Sequence, residues 1–375
     1  MISLRPARLR RAICAGAISF AFAVSNLCLA QQGTTKTPPV VAVDADGTVH
    51  MPSFLLPQSS FLSPEAKRAY LDHLLWPGNG GHPSPSDAAQ ARKQIDDILF
   101  LPSIARQKAL YPVHMESQTI AGVYTDVITP AQGVSSKNSN RILINLHGGG
   151  FVTGARTAGP AESIPIASIG RIKVISIDYR QGPEYKFPAA SEDVAAVYTE
   201  LLKQYPAKHI GIYGCSAGGQ LTAMSVAWFD RHHLPQPGAV GILCASAGAM
   251  GEGDSHYLGV PLNGNYPSPS VETGRPQART GYLSDVDPKD PLVAPLYYPQ
   301  LLAKFPPTLL ITGTRSFEMS SVVYTHTQLV KAGVDAELHI WDGLWHGWWY
   351  NPDLPESKAV YDVIVSFFDR HLGAN

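Results

Sequence analysis

The sequence predicts an α/β fold: a mostly parallel central sheet, helices on both faces, and a helical cap built partly from the N-terminal segment. Three observations lead there. Short apolar runs of strand length alternate with helix-length stretches from Val123 to the C-terminus. A glycine-flanked serine, Gly214-Cys215-Ser216-Ala217-Gly218-Gly219, lies between a strand run and a helix run. Three glycines, Gly148-Gly149-Gly150, follow an earlier strand run, Ile142-Leu143-Ile144, and His147.

The chain has 375 residues, room for one large α/β domain with a cap. A hydrophobic content of 45% with 16% charged residues is that of a globular protein. A formal charge of −1 gives no basic surface for a nucleic-acid partner.

Read in order, residues 1–30 form a secretory signal. Arg5, Arg8, Arg10 and Arg11 make a basic head, Ala12 to Val24 is largely apolar, and Cys28-Leu29-Ala30 offers small residues for cleavage after Ala30. The apolar stretch is short for a membrane span, so no stable anchor is expected. The protein is then periplasmic or secreted. Cleavage leaves 25 basic against 30 acidic side chains, a charge of −5, and two cysteines, Cys215 and Cys244. Two cysteines make no disulfide scaffold, and their pairing stays open. Residues 31–57 are polar and proline-punctuated, which predicts a loosely ordered leader.

Residues 58–120 are expected to form cap helices. Ser63 to Trp76 has a capping serine, a proline in the first turn, and Ala66, Ala69, Tyr70 and Leu74 on one face. A loop from Pro77 to Pro83 leads to a second helix, Ser86 to Leu99. The catalytic domain, 121–375, then begins. Strands are predicted over Val123–Thr129, Arg141–Leu146, Lys173–Asp178, His209–Tyr213, Val240–Ala245, Pro307–Thr312 and Ala336–Trp341. Helices are predicted over Ser191–Gln204, Gly219–Phe229, Ser320–Ala332 and Ser357–His371. Gly248 to Lys289, rich in glycine and proline, reads as an excursion near the site.

A serine on so sharp a strand-to-helix turn is held strained, with its hydroxyl above the sheet and a helix N-terminus favouring developing negative charge. Three glycines after a strand let backbone amides approach a reacting oxygen unobstructed. No Gly-Lys-Ser/Thr ending follows them, which disfavours a phosphate loop.

These motifs, in order, resemble the hormone-sensitive-lipase-like family of α/β-hydrolases. The resemblance runs from about Arg141 to His371 and includes Asp178-Tyr179-Arg180-Gln181-Gly182-Pro183-Glu184, Phe187-Pro188-Ala189-Ala190 with Asp193, Asp290-Pro291-Leu292-Val293-Ala294-Pro295, and Gly313-Thr314-Arg315. It implies an α/β-hydrolase fold, hydrolysis of a small-molecule carboxylic ester, and no cofactor or metal. Carried over, Ser216 is the nucleophile, His346 the base, and the amides of Gly149, Gly150 and Ala217 the oxyanion hole. Two positions depart from the family pattern. Cys215 stands where the family usually has Asp, beside the nucleophile. Ser316 stands where it usually has the triad aspartate.

The acid must then lie elsewhere between Ser216 and His346, on the loop after the strand ending near Thr312. Glu318 is the carboxylate in that loop. It is read as the displaced triad acid, with a helix-start residue facing the dipole of Ser320–Ala332 as the alternative. Asp342, four residues before His346, competes. Phe151, Trp345 and Trp348 are candidates for a substrate-pocket wall, with core packing the other reading. A ligand-binding pseudoenzyme on the same fold, an amidase and a polysaccharide acyl esterase remain as alternatives to a serine esterase of short- to medium-chain esters. Monomer and homodimer are both compatible with the sequence.

Overall fold

Eight strands form the central sheet: β1 Val113–Ile120, β2 Val123–Pro130, β3 Ile142–Leu146, β4 Lys173–Ile177, β5 Ile210–Cys215, β6 Ala239–Leu243, β7 Thr308–Gly313 and β8 Ala336–Trp341. Their spatial order is β8-β7-β6-β5-β3-β4-β2-β1. Strands β3 to β8 pair in parallel, and β1 and β2 close one edge antiparallel. The computed structural model describes residues 42–51, 55–75, 88–263 and 281–373. Residues 1–30 of the predicted signal, the loop at Pro77–Pro83 and residues 264–280 of the predicted excursion lie outside them.

The inner strands are apolar because helices cover both faces. Ile142, Leu143, Ile144 and Leu146 of β3 and Val174, Ile175 and Ile177 of β4 are buried, with two hydrophobic clusters on opposite faces of the sheet. Burying each such side chain contributes about 1.5–3 kcal/mol. The helices that pack on the sheet are α4 Ala158–Gly170, α5 Ala189–Leu201, α6 Ala217–Arg231, α8 Met319–Lys331 and α9 Pro355–His371. Before them in the chain come α1 Pro64–Leu74, α2 Ala88–Ile95 and α3 Leu101–Leu110, and α7 Asp254–Leu262 lies inside the glycine-rich excursion. Ser63 caps α1 as expected, its hydroxyl accepting from the Ala66 amide at 3.0 Å.

Two organisational expectations change. Strand β1 lies within the segment expected to hold only cap helices, so the sheet begins at Val113 and not after residue 120. Its sequence, Val-His-Met-Glu-Ser-Gln-Thr-Ile, is polar because it is an edge strand with much of its surface in water. The predicted leader also carries structure: Ala42–Val43 pairs antiparallel with Val49–His50 as a short ribbon, in a unit separate from residues 57–375.

Register positions the site. Leu146 pairs with Gly214, Cys215 with Leu243, Leu243 with Ile311, and Gly313 with Trp341. The C-terminal ends of β3, β5, β7 and β8 are therefore level. The loops that follow them, carrying Gly148–Gly150, Ser216, Glu318 and His346, leave the same edge of the sheet, the edge where open α/β sheets place their ligands.

Candidate active site

The turn from β5 into α6 is as sharp as its glycines imply. Ser216 has φ 57° and ψ −121°, a conformation rare for a residue with a side chain. A Cβ on Gly218 would stand 1.7 Å from the Leu146 carbonyl oxygen, and one on Gly214 2.1 Å from it. Helix α6 thus runs hard against the end of β3, and only glycine permits it. The Ser216 amide donates to the Leu243 carbonyl at 2.8 Å, pinning the elbow to β6. Ser216 is partly exposed, whereas Cys215 is fully buried. Cys215 and Cys244 are both free thiols, and burial pushes the pKa of each thiol up.

The glycine loop is held from below. Tyr179 donates its hydroxyl to the His147 carbonyl at 2.6 Å, and its ring stacks on His147 with centroids 4.3 Å apart. Gly149 has φ 113°, and a Cβ there would lie 2.2 Å from the Thr153 carbonyl oxygen. Among the described residues, the amides of Gly149 and Gly150 make no main-chain hydrogen bond. Ala217 opens α6, where the first-turn amides have no acceptor within the helix. The three amides stand together at one end of the sheet. His147 is buried, which pushes its pKa down, and its Nδ1 lies 2.7 Å from the Gly148 carbonyl oxygen. It braces the loop.

The structure answers where the carboxylate sits. Glu318 Oε2 lies 3.0 Å from Nδ1 of His346. Glu318 is 0% exposed, and the His346 side chain 26%. The Glu318 backbone immediately precedes α8, yet its side chain makes no capping hydrogen bond. Ser316, in the slot of the expected aspartate, donates its hydroxyl to Glu318 Oε2, and Thr312 donates to Oε1 at 3.1 Å. Burial pushes the Glu318 pKa up. The charge and hydrogen bond of His346, with the Ser316 hydroxyl, outweigh it and hold the group below its ordinary value. Asp342 is turned elsewhere: it accepts from Thr314 at 3.1 Å and from Ser59. The Cys244 thiol sulfur, one Glu318 oxygen and one His346 nitrogen all lie within 4.8 Å of one another. With its acidity suppressed, that thiol is a poor metal ligand.

The three candidate wall residues are covered by protein. Phe151 is 1% exposed and stacks on Tyr282 at 4.9 Å. Trp345 stacks on His73 of α1 at 5.2 Å, with Tyr70 at 5.6 Å. Trp348, 1% exposed, lies in the core against Trp341 and Trp349. Their apolar surface goes into packing, and Trp345 serves the contact with α1. Sequence reasoning missed Phe317, whose ring lies 4.9 Å from that of His346. It also missed Glu162, buried under both glycine motifs. Glu162 had a signal: it is the one charged residue in the run Ala158–Gly170.

The chain matches the family of the α/β-hydrolase fold over residues 143–350, more than half its length. It belongs to the α/β-hydrolase family. The chain is 28% identical over 244 residues to an acetyl-hydrolase of Streptomyces hygroscopicus, covering 64% of this chain and 78% of that one. It is 25% identical over 254 residues to an ethyl acetate hydrolase of Pseudomonas putida, covering 61% and 73%. A solved esterase structure superposes with a TM-score of 0.73 at 31% identity, covering 86% of this chain and 99% of that one. A solved esterase of the bacterial hormone-sensitive lipase family superposes with a TM-score of 0.69 at 26% identity, covering 83% and 99%. The resemblance read from the motifs thus extends over the whole α/β-hydrolase architecture.

Proposed function

We propose that this α/β-hydrolase is a serine carboxylesterase that cleaves small-molecule esters through an acyl-enzyme. The carboxylic-ester hydrolase class rests on the family and on relatives named as esterases and acetyl-hydrolases. The mechanism rests on one observation above the others: a buried glutamate bonded to Nδ1 of a part-exposed histidine, level with a strained, accessible serine. Glu318 fixes the His346 tautomer, so that Nε2 is free to accept a proton. Ser216 attacks the ester carbonyl as His346 takes its proton. The carbonyl oxygen becomes an oxyanion against the amides of Gly149, Gly150 and Ala217. His346 then protonates the leaving alcohol, the acyl group stays on Ser216, and water repeats the sequence. Short acyl groups are favoured because the relatives are named for acetyl esters. The paired acid and base support turnover over the holding of a ligand by a broken triad.

The test is hydrolysis of p-nitrophenyl acetate and butyrate by wild type and Ser216→Ala, with a dialkyl phosphoryl inhibitor as mass label. Wild-type turnover at least about 10³-fold above the Ser216→Ala rate, and a label on Ser216 alone, support the proposal. Equal rates on both esters and on longer ones would sink it.

A further inference from the structure

The two halves of the oxyanion hole come from different strands, β3 and β5, and something must fix their separation. The β3 half sits on three successive glycines, which have no side chains to anchor them and the most freedom to lose. One buried side chain bonds to both halves. Glu162, in the second turn of α4, accepts from the Gly148 amide at 2.7 Å and the Tyr350 hydroxyl at 2.6 Å through Oε1. Its Oε2 accepts from the Asn145 amide nitrogen at 2.9 Å and the Cys215 backbone amide at 3.3 Å. Gly148 directly precedes Gly149, and Cys215 directly precedes Ser216.

The donors are ordered in their turn. Asn145 Oδ1 accepts from the Ser176 hydroxyl at 3.0 Å, which points the amide nitrogen of Asn145 at Glu162. Tyr350 stands four residues after His346, so the same carboxylate also touches the loop that delivers the base. Four donors meet one group, and a carboxylate can accept all four. A glutamine in its place would turn two N–H bonds toward a cluster made of donors.

We propose that Glu162 is a positioning residue for ester hydrolysis: by bonding the Gly148 and Cys215 amides it sets the separation between the Gly149–Gly150 amides and the Ser216–Ala217 elbow. It touches no substrate, and its effect reaches the reaction through the oxyanion hole. The inference rests on the esterase reading of Ser216. A displaced hole should weaken binding of the tetrahedral state while leaving the ground-state ester almost unaffected.

The experiment uses the full chain as wild type, Glu162→Gln, Tyr350→Phe and Ser216→Ala. It reads kcat and KM on p-nitrophenyl acetate, the inhibition constant of an alkyl trifluoromethyl ketone, and the thermal midpoint. That ketone adds to the nucleophilic serine and places an oxyanion in the hole. Glu162→Gln is expected to lose about 30- to 300-fold in kcat with KM changed less than about 3-fold, and to lose ketone affinity by a similar factor. Tyr350→Phe, which removes one of the four donors, is expected to lose about 3- to 10-fold in both. If Glu162→Gln does not fold cooperatively, Tyr350→Phe decides: parallel losses support the inference, and wild-type values overturn it. A folded Glu162→Gln with wild-type kcat, or with lower kcat and unchanged ketone affinity, overturns it while leaving the esterase reading intact. Wild type no faster than Ser216→Ala removes that reading and this inference with it.

Discussion

Two buried glutamates stand under the same edge of the sheet, and their electrostatics run in opposite directions. Glu318 faces His346 and is held below the ordinary carboxylate value. Glu162 has four hydrogen-bond donors and is pushed up to about 7, burial outweighing the opposing bonds from Tyr350, Asn145, Gly148 and Cys215. Both are buried. The difference is that a group able to carry positive charge faces one and only dipoles face the other. Dipoles soften the cost of burying a charge, whereas a counter-charge reverses it. The surroundings of Glu318 therefore favour a charged His346 beside it. The surroundings of Glu162 hold backbone in place through the Gly148 and Cys215 amides.

The largest expected effect breaks the first half of that contrast. Glu318→Gln keeps the shape of the side chain and removes its charge, so His346 loses both its tautomer control and the partner of its protonated form. Turnover should fall about 10³- to 10⁴-fold with KM little changed, measured on p-nitrophenyl acetate with thermal melting as the folding control. Activity within about 3-fold of wild type would mean that another group orients His346.

The second effect is read in stability against pH. For Glu162, the folded pKa lies above the ordinary 4.5, at about 7. Its contribution is fully present below pH 4.5 and is lost as pH rises through 7. At about 1.4 kcal/mol per pH unit, the loss is about 3 kcal/mol. Glu318, with its pKa depressed, works the other way: its contribution is present above 4.5 and is lost as pH falls through the folded value. Urea unfolding at pH 5 and pH 8 should show Glu162→Gln gaining stability relative to wild type at the higher pH. Glu318→Gln should keep a constant offset from wild type across that range and lose ground to it only as pH rises through the window below 4.5. Slopes of the same sign for both variants would remove the distinction.

What the sequence made legible follows from how each element is buried. Strands β3 to β7 read as apolar runs because helices cover them on both faces, and the elbow read as glycines because Leu146 presses on it. Edge strand β1 was hidden by its polar surface. Helix α4 was hidden for the opposite reason: it is buried on most sides, so Ala-Gly-Pro-Ala-Glu-Ser-Ile-Pro-Ile carries no helical stripe. Glu162 went unread with it. Glu318 was legible as a candidate because chain order and loop placement limit where an acid can stand. Whether its side chain points to His346 or to the helix start could not be read from chain order.

A smaller effect sharpens the acid side. Ser316 occupies the family's aspartate slot and donates to the same Glu318 oxygen that faces Nδ1 of His346. Ser316→Ala removes one of the interactions that hold the Glu318 pKa down. Loss of one hydrogen bond to a charged group is worth about 1.5–3 kcal/mol, so turnover should fall about 10-fold, with part of the loss absorbed by Thr312. A kcat equal to wild type would make Ser316 a bystander to the displaced acid.

The smallest effect separates proximity in sequence from connection in space. Asp342 lies four residues before His346 and Glu318 twenty-eight, yet it is the distant one that bonds His346. The reason is where each loop points its carboxylate. Asp342 follows β8 directly, and its oxygens are taken up by Thr314 and Ser59, a tie between the β7 loop and the segment before α1. That tie is solvent-exposed and neutral on the partner side, a setting in which a hydrogen bond contributes about 1 kcal/mol. Asp342→Asn keeps one acceptor oxygen for one of those partners. It should leave kcat within about 2-fold and lower the thermal midpoint by only a few degrees. A loss comparable with that of Glu318→Gln would instead make the β8 loop, and not the β7 loop, the source of the acid.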